Sequence, residues 1–309
     1  MTSIAVYGAG GVGAYFGGRL ALAGADVSLL ARGAHLEALR REGLRVESLH
    51  GDFEIDLRAT DDPGDIGPVD YVLVCVKSFD TPEVAANLDP LVGEDTAVIS
   101  LQNGVRNEEI LAEAVGEDRV VGGVCYIFST IQEPGVVEHM GGPARIVFGE
   151  LDGTVTERTD RFRDLCERAD IEVTLSEDVR VDTWEKFAFI VAQAGMTAAT
   201  RLPIGEIREV EASRAMYERM MREVASVAVV EGAPLPEGAV DRWLEFARDL
   251  DPDTYSSLHY DMTHGKRMEL DAFHGTVVDL AGEHGIDVPA CEAVYAILEP
   301  WAERNALNG

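Results

Sequence analysis

Short apolar runs alternate with longer amphipathic segments along the first half of the chain. Ile4–Tyr7, Val27–Leu30 and Asp70–Val76 have the length and the nearly continuous apolar character of strands buried on both faces of a parallel sheet. Between the first two runs, Val12–Ala23 has the length of a helix, and Gly24 ends it. The start of the chain therefore predicts a β-α-β unit.

The same pattern predicts the other elements of the first half. In chain order they are a helix at His35–Glu42, edge strands at Leu44–Ser48 and Phe53–Leu57, a polar loop at Asp61–Pro68, a helix at Thr81–Leu88 with Thr81 as N-cap, a strand at Ala97–Leu101, a helix at Asn107–Val115, a strand at Val120–Phe128, a hairpin of Val136–His139 with Ala144–Phe148, a helix at Arg158–Ala169 and a strand at Ile171–Leu175. This alternation of strand and helix is typical of a doubly wound sheet.

Strand signals stop at about Glu177. The rest of the chain predicts helices at Val179–Ala198, Ile207–Glu231, Val240–Arg248, Ser256–Gly282 and Ala290–Ala302. We therefore expect an α/β protein, with an N-terminal Rossmann-type doubly wound sheet over residues 1–176 and an all-helical C-terminal domain over residues 177–309.

A glycine-rich turn lies between the first strand and the first helix. It fits the pattern G-x-G-x-x-G with the sequence Gly8-Ala9-Gly10-Gly11-Val12-Gly13. In dinucleotide-binding turns the first glycine allows the tight turn, the second lets the backbone approach a pyrophosphate, and the third lets helix and strand pack closely. An ordinary glycine-rich turn is the alternative. The position after a strand, at the start of a helix and before a second strand favours dinucleotide binding.

The end of the second strand indicates which dinucleotide binds. NAD sites usually carry Asp or Glu there, to bind the ribose 2′-hydroxyl. Here Leu30 is followed by Ala31 and Arg32, with no acidic residue at the tip of the strand. Arg32 is either a solvated loop cation or a donor of charge-assisted hydrogen bonds to a 2′-phosphate. We expect the second role, and hence NADP(H) as the cofactor.

Charge narrows the range of partners. The chain has 56 acidic and 26 basic residues, a formal net charge of −30, spread along its length. Binding to nucleic acid or to an anionic membrane needs a basic face, so neither partner is expected. An acidic surface of this kind fits a protein of a high-salt cytoplasm, where ions screen self-repulsion. Unchanged folding and activity in salt-free buffer would count against this hypothesis.

Other sequence features exclude several classes of protein. No apolar run has the length of a membrane span and the N-terminus does not resemble a signal peptide, so we expect a soluble cytoplasmic protein. The cysteines are Cys75, Cys125, Cys166 and Cys291. Without any C-x-x-C pair they predict buried free thiols. The histidines lack the spacing of metal ligands, although His259 and His264 share a predicted helix, so no metal is expected.

Two polar residues follow predicted strands on the side of the sheet where ligands bind. The chain has three lysines, and one of them, Lys77, comes directly after the strand that ends at Val76. Asn103 follows Ala97–Leu101 and offers a donor and an acceptor to a nicotinamide ring. The alternatives are a surface lysine and a turn asparagine before Gly104.

Further motifs follow in a fixed order. They are Val76-Lys77, Leu101-Gln102-Asn103-Gly104, the hairpin ending at Gly149, Trp184-Glu185-Lys186, Ser256-Ser257 with Glu269 twelve residues after Ser257, and His284-Gly285-Ile286-Asp287-Val288-Pro289. Together with the glycine-rich turn, their order and spacing resemble the ketopantoate reductase family (2-dehydropantoate 2-reductases) over most of the chain. Each motif alone is weak, but the combination is specific.

This resemblance implies NADPH-dependent reduction of a 2-oxo acid to a 2-hydroxy acid. For the family substrate, ketopantoate becomes pantoate, a precursor of pantothenate and coenzyme A. The resemblance implies that Lys186 is the general acid, that Lys77 and Asn103 face cofactor and substrate, and that Ser257 and Glu269 bind polar groups of the substrate. The first domain then binds NADP and the second carries the substrate and the catalytic lysine.

Physical chemistry supports these roles. Hydride addition to a ketone develops negative charge on the oxygen, which an ammonium group stabilises and protonates. Lys186 lies in an apolar helical segment, where partial desolvation lowers a lysine pKa, unless its side chain extends to solvent. Glu269 either holds this lysine or accepts from the product hydroxyl. Ser257 and Glu269 share one face of the predicted helix, and Lys266 is a possible ion-pair partner of Glu269.

Three positions depart from the family pattern. Ile190 and Ala194 lie one and two turns after Lys186, where many members carry asparagines that hold the substrate. Asp80 stands where the family often has a neutral amide. Candidate replacement donors are Gln193, Thr197 and Arg201. These changes leave the reductase chemistry intact and make the identity of the 2-oxo acid an open question.

We therefore favour an NADPH-dependent ketopantoate reductase. The alternatives are a paralogous reductase of another 2-oxo acid and a non-catalytic NADP-binding sensor, although a sensor would need neither Lys186 nor Glu269. The long, partly apolar helix around Met216–Val230 fits a homodimer interface, and a core within the domain explains it equally well.

Overall fold

The computed structural model describes residues 1–307. The chain divides into two compact units, the first spanning Met1–Val179 and the second beginning at Arg180. The first unit contains a ten-stranded sheet with helices, and the second is helical. The predicted fold class, a Rossmann-type domain followed by a helical domain, is confirmed. Among the described residues, no helix is both long enough and apolar enough to cross a membrane.

The bounds of the elements are as follows. The strands are β1 (Ser3–Tyr7), β2 (Asp26–Leu30), β3 (Leu44–Ser48), β4 (Phe53–Ile55), β5 (Arg58–Thr60), β6 (Val69–Val74), β7 (Val92–Ser100), β8 (Val120–Glu133), β9 (Val136–Glu150) and β10 (Glu172–Leu175). The helices of the sheet domain are α1 (Gly11–Leu22), α2 (Gly33–Glu42), α3 (Thr81–Ala85), α4 (Asn107–Val115) and α5 (Glu157–Arg168). The helical domain contains α6 (Val179–Thr200), α7 (Ile204–Glu209), α8 (Glu211–Val230), α9 (Ala239–Asp249), α10 (Ser257–Thr263), a π-helical turn (Asp271–Gly275), α11 (Thr276–His284) and α12 (Pro289–Ala306).

The order of the strands in the sheet is β4-β3-β9-β8-β7-β6-β1-β2-β5, and β10 pairs with β9. The strands from β7 to β5 in this order are parallel, and their ends are in register. Tyr7 pairs with both Leu30 and Val74, and Val74 pairs with Ser100. The loops after β1, β2, β6 and β7 therefore leave the sheet along one edge, which we call the carboxyl edge, and ligands of open α/β sheets bind at such an edge.

Alternate residues of β1 pack into the two faces of the sheet. Ile4 and Val6 belong to a buried cluster with Phe16 of α1. Ala5 packs on the other face, in a cluster with Val84 of α3. Burial of a side chain of the size of valine contributes roughly 1.5–3 kcal/mol. Because helices cover both faces, the central strands are apolar throughout, as the sequence pattern indicates.

Several predictions for the sheet domain were wrong. β3 is not an edge strand, because it lies between β4 and β9, and β5 was not predicted. The two segments predicted as a hairpin are one strand, β9, which pairs with β8. Gly142 and Ala144 have positive φ angles, so the glycines that suggest a turn form an irregularity within the strand. Thr81 is not an N-cap but lies inside α3, after a 3₁₀ turn.

The cysteine prediction holds with one exception. All four cysteines are free thiols, and Cys125, Cys166 and Cys291 are buried, whereas Cys75 is partly exposed. In the helical domain, Met220, Met221 and Val224 of α8 are buried. These positions account for much of the apolar character of α8 without a second copy of the chain.

The predicted helix Ser256–Gly282 is broken, so Ser257 and Glu269 do not share a helix. α10 ends at Thr263, and Gly265 has a φ of +69°. The side-chain amide of Asn305, which is buried in α12, donates to the carbonyl oxygens of Asp261, Met262 and Lys266. These bonds satisfy backbone groups that a continuous helix would have used. The predicted helix Ile207–Glu231 is likewise two helices, α7 and α8.

Candidate active site

The glycine-rich turn has the geometry that the sequence predicts at its first and last glycines. Gly8 has a φ of +103°, and a Cβ there would lie 2.8 Å from the backbone nitrogen of Val76. A Cβ on Gly13 would collide with the carbonyl oxygen of Gly8 and would lie 2.8 Å from Cγ1 of Val6. The tight turn at Gly8 and the close packing of helix on strand at Gly13 are therefore confirmed.

The second glycine of the turn faces open space. A Cβ on Gly10 would meet no described atom within 4 Å. Gly10 is also the N-cap of α1, and within the described chain no N-cap side chain bonds to this helix and no acidic residue lies in its first turn. An anion can therefore approach the N–H groups of α1 without competing with a capping side chain. These features fit the pyrophosphate of a dinucleotide.

Gly11 has a different role, which the sequence did not indicate. A Cβ on Gly11 would lie 2.5 Å from the carbonyl oxygen of Ser129 in β8. The backbone of β8 therefore packs directly on the first turn of α1. A side chain at this position would displace the strand, so Gly11 is required by the protein's own packing.

Arg32, the predicted contact of a 2′-phosphate, lies between β2 and α2 as the N-cap residue of α2. Its Nη2 donates to Oε1 of Glu83 in α3 at 2.8 Å. Both side chains are exposed. Glu83 was not predicted from the sequence, because no local pattern connects it with the end of β2.

The loops after β6 and β7 carry Lys77 and Asn103, and the structure brings these loops together. Both residues are partly buried. The hydroxyl of Ser78 donates to the carbonyl oxygen of Asn103 at 2.5 Å, and Nδ2 of Asn107 donates to the same oxygen at 3.0 Å. The backbone at Asn103 is thus held from two sides, next to the loop that begins at Lys77.

Two further buried side chains complete this connection. Nε2 of Gln102 donates to the carbonyl oxygen of Val76 at 3.0 Å and to Oγ1 of Thr81 at 2.7 Å. Thr81 in turn donates to Oδ1 of Asn107 at 2.9 Å. We call Ser78, Thr81, Gln102 and Asn107 the loop network. Gln102 belongs to a sequence motif, but no role was predicted for it; the available signal was a glutamine directly after a buried strand.

A carboxyl group lies beside the loop network. Burial raises the pKa of Glu108, the second residue of α4, to about 7. Hydrogen bonds from the Ser100 side chain and the Gly123 backbone act in the opposite direction. Ser100 also donates weakly to Oε1 of Gln102, at 3.4 Å. Glu108 therefore contacts the end of β7, from which the loop with Asn103 departs.

In the helical domain, Lys186 lies on α6 and is partly buried. Its neighbours Trp184 and Phe187 are almost fully buried, and their rings pack edge to face with centroids 5.6 Å apart. Phe187 also packs against Phe273, with ring centroids 6.4 Å apart. Phe273 lies one turn after Glu269, which is 4% exposed. The segment that follows Glu269 therefore packs beside the turn of α6 that carries Lys186.

Ser257 lies at the start of α10, which is held against α6 further along that helix than Lys186. The hydroxyl of Ser256 accepts from the backbone N–H of His259 at 3.1 Å, which caps α10, and from Oγ1 of Thr197 at 2.7 Å. Ser257 is the first residue of α10 and is exposed. Thr197 lies three turns after Lys186, so the structure fixes the start of α10 against the later part of α6.

The three candidate replacement donors all make contacts within the helical domain. Thr197 is fully buried and bonds to Ser256. Oε1 of Gln193 accepts from the hydroxyl of Tyr217 at 3.1 Å. The guanidinium of Arg201 stacks 4.4 Å above the ring of Trp301. Of the positions one and two turns after Lys186, Ile190 is partly exposed and Ala194 is buried, and both are apolar, whereas Gln193 and Thr197 lie on the same side of α6 as the lysine.

Comparisons with known proteins agree with this architecture. The family profile described as "Ketopantoate reductase PanE/ApbA" matches residues 4–153, and "Ketopantoate reductase PanE/ApbA C terminal" matches residues 178–302. The chain belongs to the ketopantoate reductase family. The resemblance noted in the sequence is therefore confirmed over both domains.

Individual relatives of this ketopantoate reductase family member cover almost its whole length. An uncharacterized oxidoreductase of Bacillus subtilis is 32% identical, over 96% of this chain and 97% of the relative. A 2-dehydropantoate 2-reductase of Halobacterium salinarum is 32% identical, over 93% of this chain and 94% of the relative. A crystal structure of a PanE/ApbA family ketopantoate reductase from Ralstonia eutropha superposes with a TM-score of 0.91 at 32% identity, covering 99% of this chain and 100% of that one.

One buried group of this ketopantoate reductase family member has a structural role near Glu269. His274, in the π-helical turn, is fully buried, and burial lowers its pKa to about 4. Its ring packs so closely on Gly195 of α6 that a Cβ there would collide with Nε2. The neutral imidazole thus sets the distance between α6 and the segment after Glu269. Within residues 1–307, no cluster of His, Cys, Asp and Glu has the arrangement of a metal site.

Proposed function

We propose that this chain is an NADPH-dependent reductase that converts 2-dehydropantoate (ketopantoate) to pantoate. The observation that carries the proposal is the arrangement of the carboxyl edge in a member of this family. There the glycine-rich turn, which leaves open space at Gly10, lies beside the loops of Lys77 and Asn103, which a hydrogen bond joins. The reaction would serve the synthesis of pantothenate and coenzyme A.

In this proposal the sheet domain binds the cofactor, which supplies the hydride. The turn from Gly8 to Gly13 binds the pyrophosphate through backbone N–H groups. Arg32 binds the 2′-phosphate, and Asn103 donates to and accepts from the nicotinamide amide. The loop network holds the backbone of Asn103, so that this residue does not need to reorganise when the cofactor arrives.

The helical domain supplies the proton. As hydride adds to C2 of the 2-oxo acid, the π electrons of the carbonyl move onto its oxygen, which takes a proton from Nζ of Lys186. Water then reprotonates the lysine, so each turnover consumes one NADPH and one proton. Glu269 orients the lysine or accepts from the product hydroxyl, and Ser257 and Lys77 bind polar groups of the substrate.

NADPH oxidation, followed by absorbance with and without molar KCl, tests this proposal. We expect ketopantoate to exceed other 2-oxo acids by orders of magnitude in kcat/KM. Lys186→Ala should lower kcat by roughly 10²–10⁴-fold while NADPH binding is retained. Lys266→Ala is the matched control, because this lysine is exposed, with its ammonium 4.8 Å from the centre of the Tyr260 ring, and the proposed reaction gives it no part. Unchanged turnover in Lys186→Ala would reject Lys186 as the acid, and NADPH binding without turnover of any acid would favour a sensor.

A second candidate is a reductase of a 2-oxo acid with a larger, apolar side chain. The observation that favours it is the pair of apolar side chains, Ile190 and Ala194, at the positions one and two turns after Lys186. Ketopantoate carries a hydroxyl, and a pocket that leaves this group unpaired binds it less well. A higher kcat/KM for a branched apolar 2-oxo acid than for ketopantoate would favour this candidate, with fold and chemistry unchanged.

A further inference from the structure

We propose that Glu83 is a specificity-determining residue for the cofactor, because its carboxylate competes with a 2′-phosphate for Arg32 and accepts from a ribose 2′-hydroxyl. The inference rests on the proposed function, in which Arg32 binds the 2′-phosphate of NADPH. It adds that the same pair of side chains accommodates NADH. Selectivity between the two nucleotides then depends on how far the attraction of Arg32 for the 2′-phosphate exceeds the repulsion by Glu83.

The pair lies where the adenosine ribose of a dinucleotide is expected. Arg32 follows β2 and Glu83 belongs to α3, which follows β6, and in the sheet β1 lies between β6 and β2. Tyr7, the last residue of β1, directly precedes the glycine-rich turn. Burial raises the pKa of Tyr7, Arg32 opposes this rise and Glu83 adds to it. Both charges therefore act at the end of β1, on the carboxyl edge beside Gly8.

The contact is close but weak enough to exchange. Nη2 of Arg32 and Oε1 of Glu83 are 2.8 Å apart, and the two side chains are 60% and 57% exposed. Exposed ion pairs contribute little to stability, so a ligand phosphate can replace the carboxylate as the partner of Arg32. After replacement, the carboxylate remains close to a second anion. That repulsion lowers the affinity for NADPH and has no counterpart for NADH.

The Glu83 carboxylate also supplies the acidic group that is absent from the end of β2. NAD sites use an acidic residue to accept from the ribose 2′-hydroxyl, and the chain has none at the tip of this strand. Glu83 brings such a group to the same place from 51 residues away. Arg32 therefore binds the 2′-phosphate of NADPH, and Glu83 accepts a hydrogen bond from the 2′-hydroxyl of NADH.

Dissociation constants of NADPH and NADH test this inference, measured by titration calorimetry on the full chain. We expect Glu83→Gln to tighten NADPH on the order of tenfold, through loss of the like charge, and to weaken NADH slightly. Adenosine 2′,5′-bisphosphate should follow NADPH, and 5′-AMP should follow NADH. Arg32→Gln should weaken NADPH far more than NADH. The matched control is Glu47→Gln, whose carboxylate accepts from Arg45 at 2.7 Å on the surface of β3; it should change neither constant.

Equal changes for both nucleotides, or unchanged or weaker NADPH binding in Glu83→Gln, would overturn the inference. The side chain is exposed, so the variant should fold, and its thermal unfolding can be compared directly with that of Glu47→Gln. Wild-type protein that binds neither nucleotide would overturn the proposed function and this inference together. Binding with the expected selectivity change but without turnover would reject the proposed reaction alone.

Discussion

The candidate site residues of the first unit and those of the second unit are held by different kinds of interaction. At the carboxyl edge, the loops of Lys77 and Asn103 are joined by buried side-chain hydrogen bonds of the loop network. On α6, the turn that carries Lys186 is anchored by the packed rings of the buried Trp184 and Phe187. Hydrogen bonds have directions and fix the position of backbone atoms, whereas apolar packing tolerates small shifts and lowers the local polarity.

This difference predicts different consequences of mutation. A break in the loop network should affect binding geometry as well as stability, because its side chains hold the backbone of the loops of Lys77 and Asn103. A break in the aromatic packing should mainly affect stability, because it opens a cavity in a core.

Phe187→Ala should have the largest effect. Removal of a fully buried ring in contact with Trp184 and Phe273 leaves a cavity, and such changes typically cost about 3–5 kcal/mol of unfolding free energy. Urea unfolding followed by tryptophan fluorescence measures this loss. Phe246→Ala, at an exposed aromatic residue of α9, is the control and should cost much less. Similar losses in both variants would contradict the assignment of Phe187 to the core.

Thr81→Val should have an intermediate effect on stability and a specific effect on binding. The change removes a hydrogen bond to Asn107 and leaves the Gln102 amide short of a partner, at a cost of about 1–3 kcal/mol. Displacement of Asn103 should raise the dissociation constant of NADPH. The constant can be measured by fluorescence titration, and Thr81→Ser should restore it.

Thr96→Val is the matched control for this experiment. Thr96 is similarly buried, donates to the carbonyl oxygen of Val69 and accepts from the backbone N–H of Gly93, but it lies beside the first residue of β6, away from the carboxyl edge. Both variants should lose stability, and only Thr81→Val should bind NADPH more weakly. Equal binding in the two variants would show that the loop network is structural only.

Glu108→Gln should change the pH dependence of stability. The pKa of Glu108 rises from 4.5 in the unfolded chain to about 7 in the folded protein, so the unfolded state loses its proton first as pH increases. The wild type should therefore lose stability as pH increases from 4.5 to 7, and the glutamine variant should lose less. Thermal unfolding across this range measures the difference. If the stability of the wild type and of the variant changed with pH in parallel, Glu108 would not be the group with the raised pKa.

Ile190→Asn should have the smallest effect, confined to substrate preference. An amide one turn after Lys186 can bond to the hydroxyl of ketopantoate, which an isoleucine cannot. We expect kcat/KM to increase for ketopantoate relative to an apolar 2-oxo acid by about tenfold. Competition between the two acids in one assay gives the ratio directly. An unchanged ratio would place the substrate side chain away from this face of α6.

The features that the sequence predicted well depend on local patterns. The glycine-rich turn, the strand before it and the positions of Lys77 and Asn103 follow from apolar periodicity and from the register of parallel strands. The errors arise where distant residues decide the structure. The helix from Ser256 ends early because Asn305, far along the chain, satisfies the freed carbonyl groups. Glu83 likewise meets Arg32 only through the order of strands in the sheet.

Because Gly11 packs against Ser129, the glycine-rich turn of this chain depends on a strand outside its own β-α-β unit. One of its glycines accommodates a strand that lies more than a hundred residues later in the sequence. A chimera that transfers only this turn to another Rossmann sheet would leave one side of the first helical turn exposed to water. Such a transplant would need β8 and its antiparallel partner β9 as well.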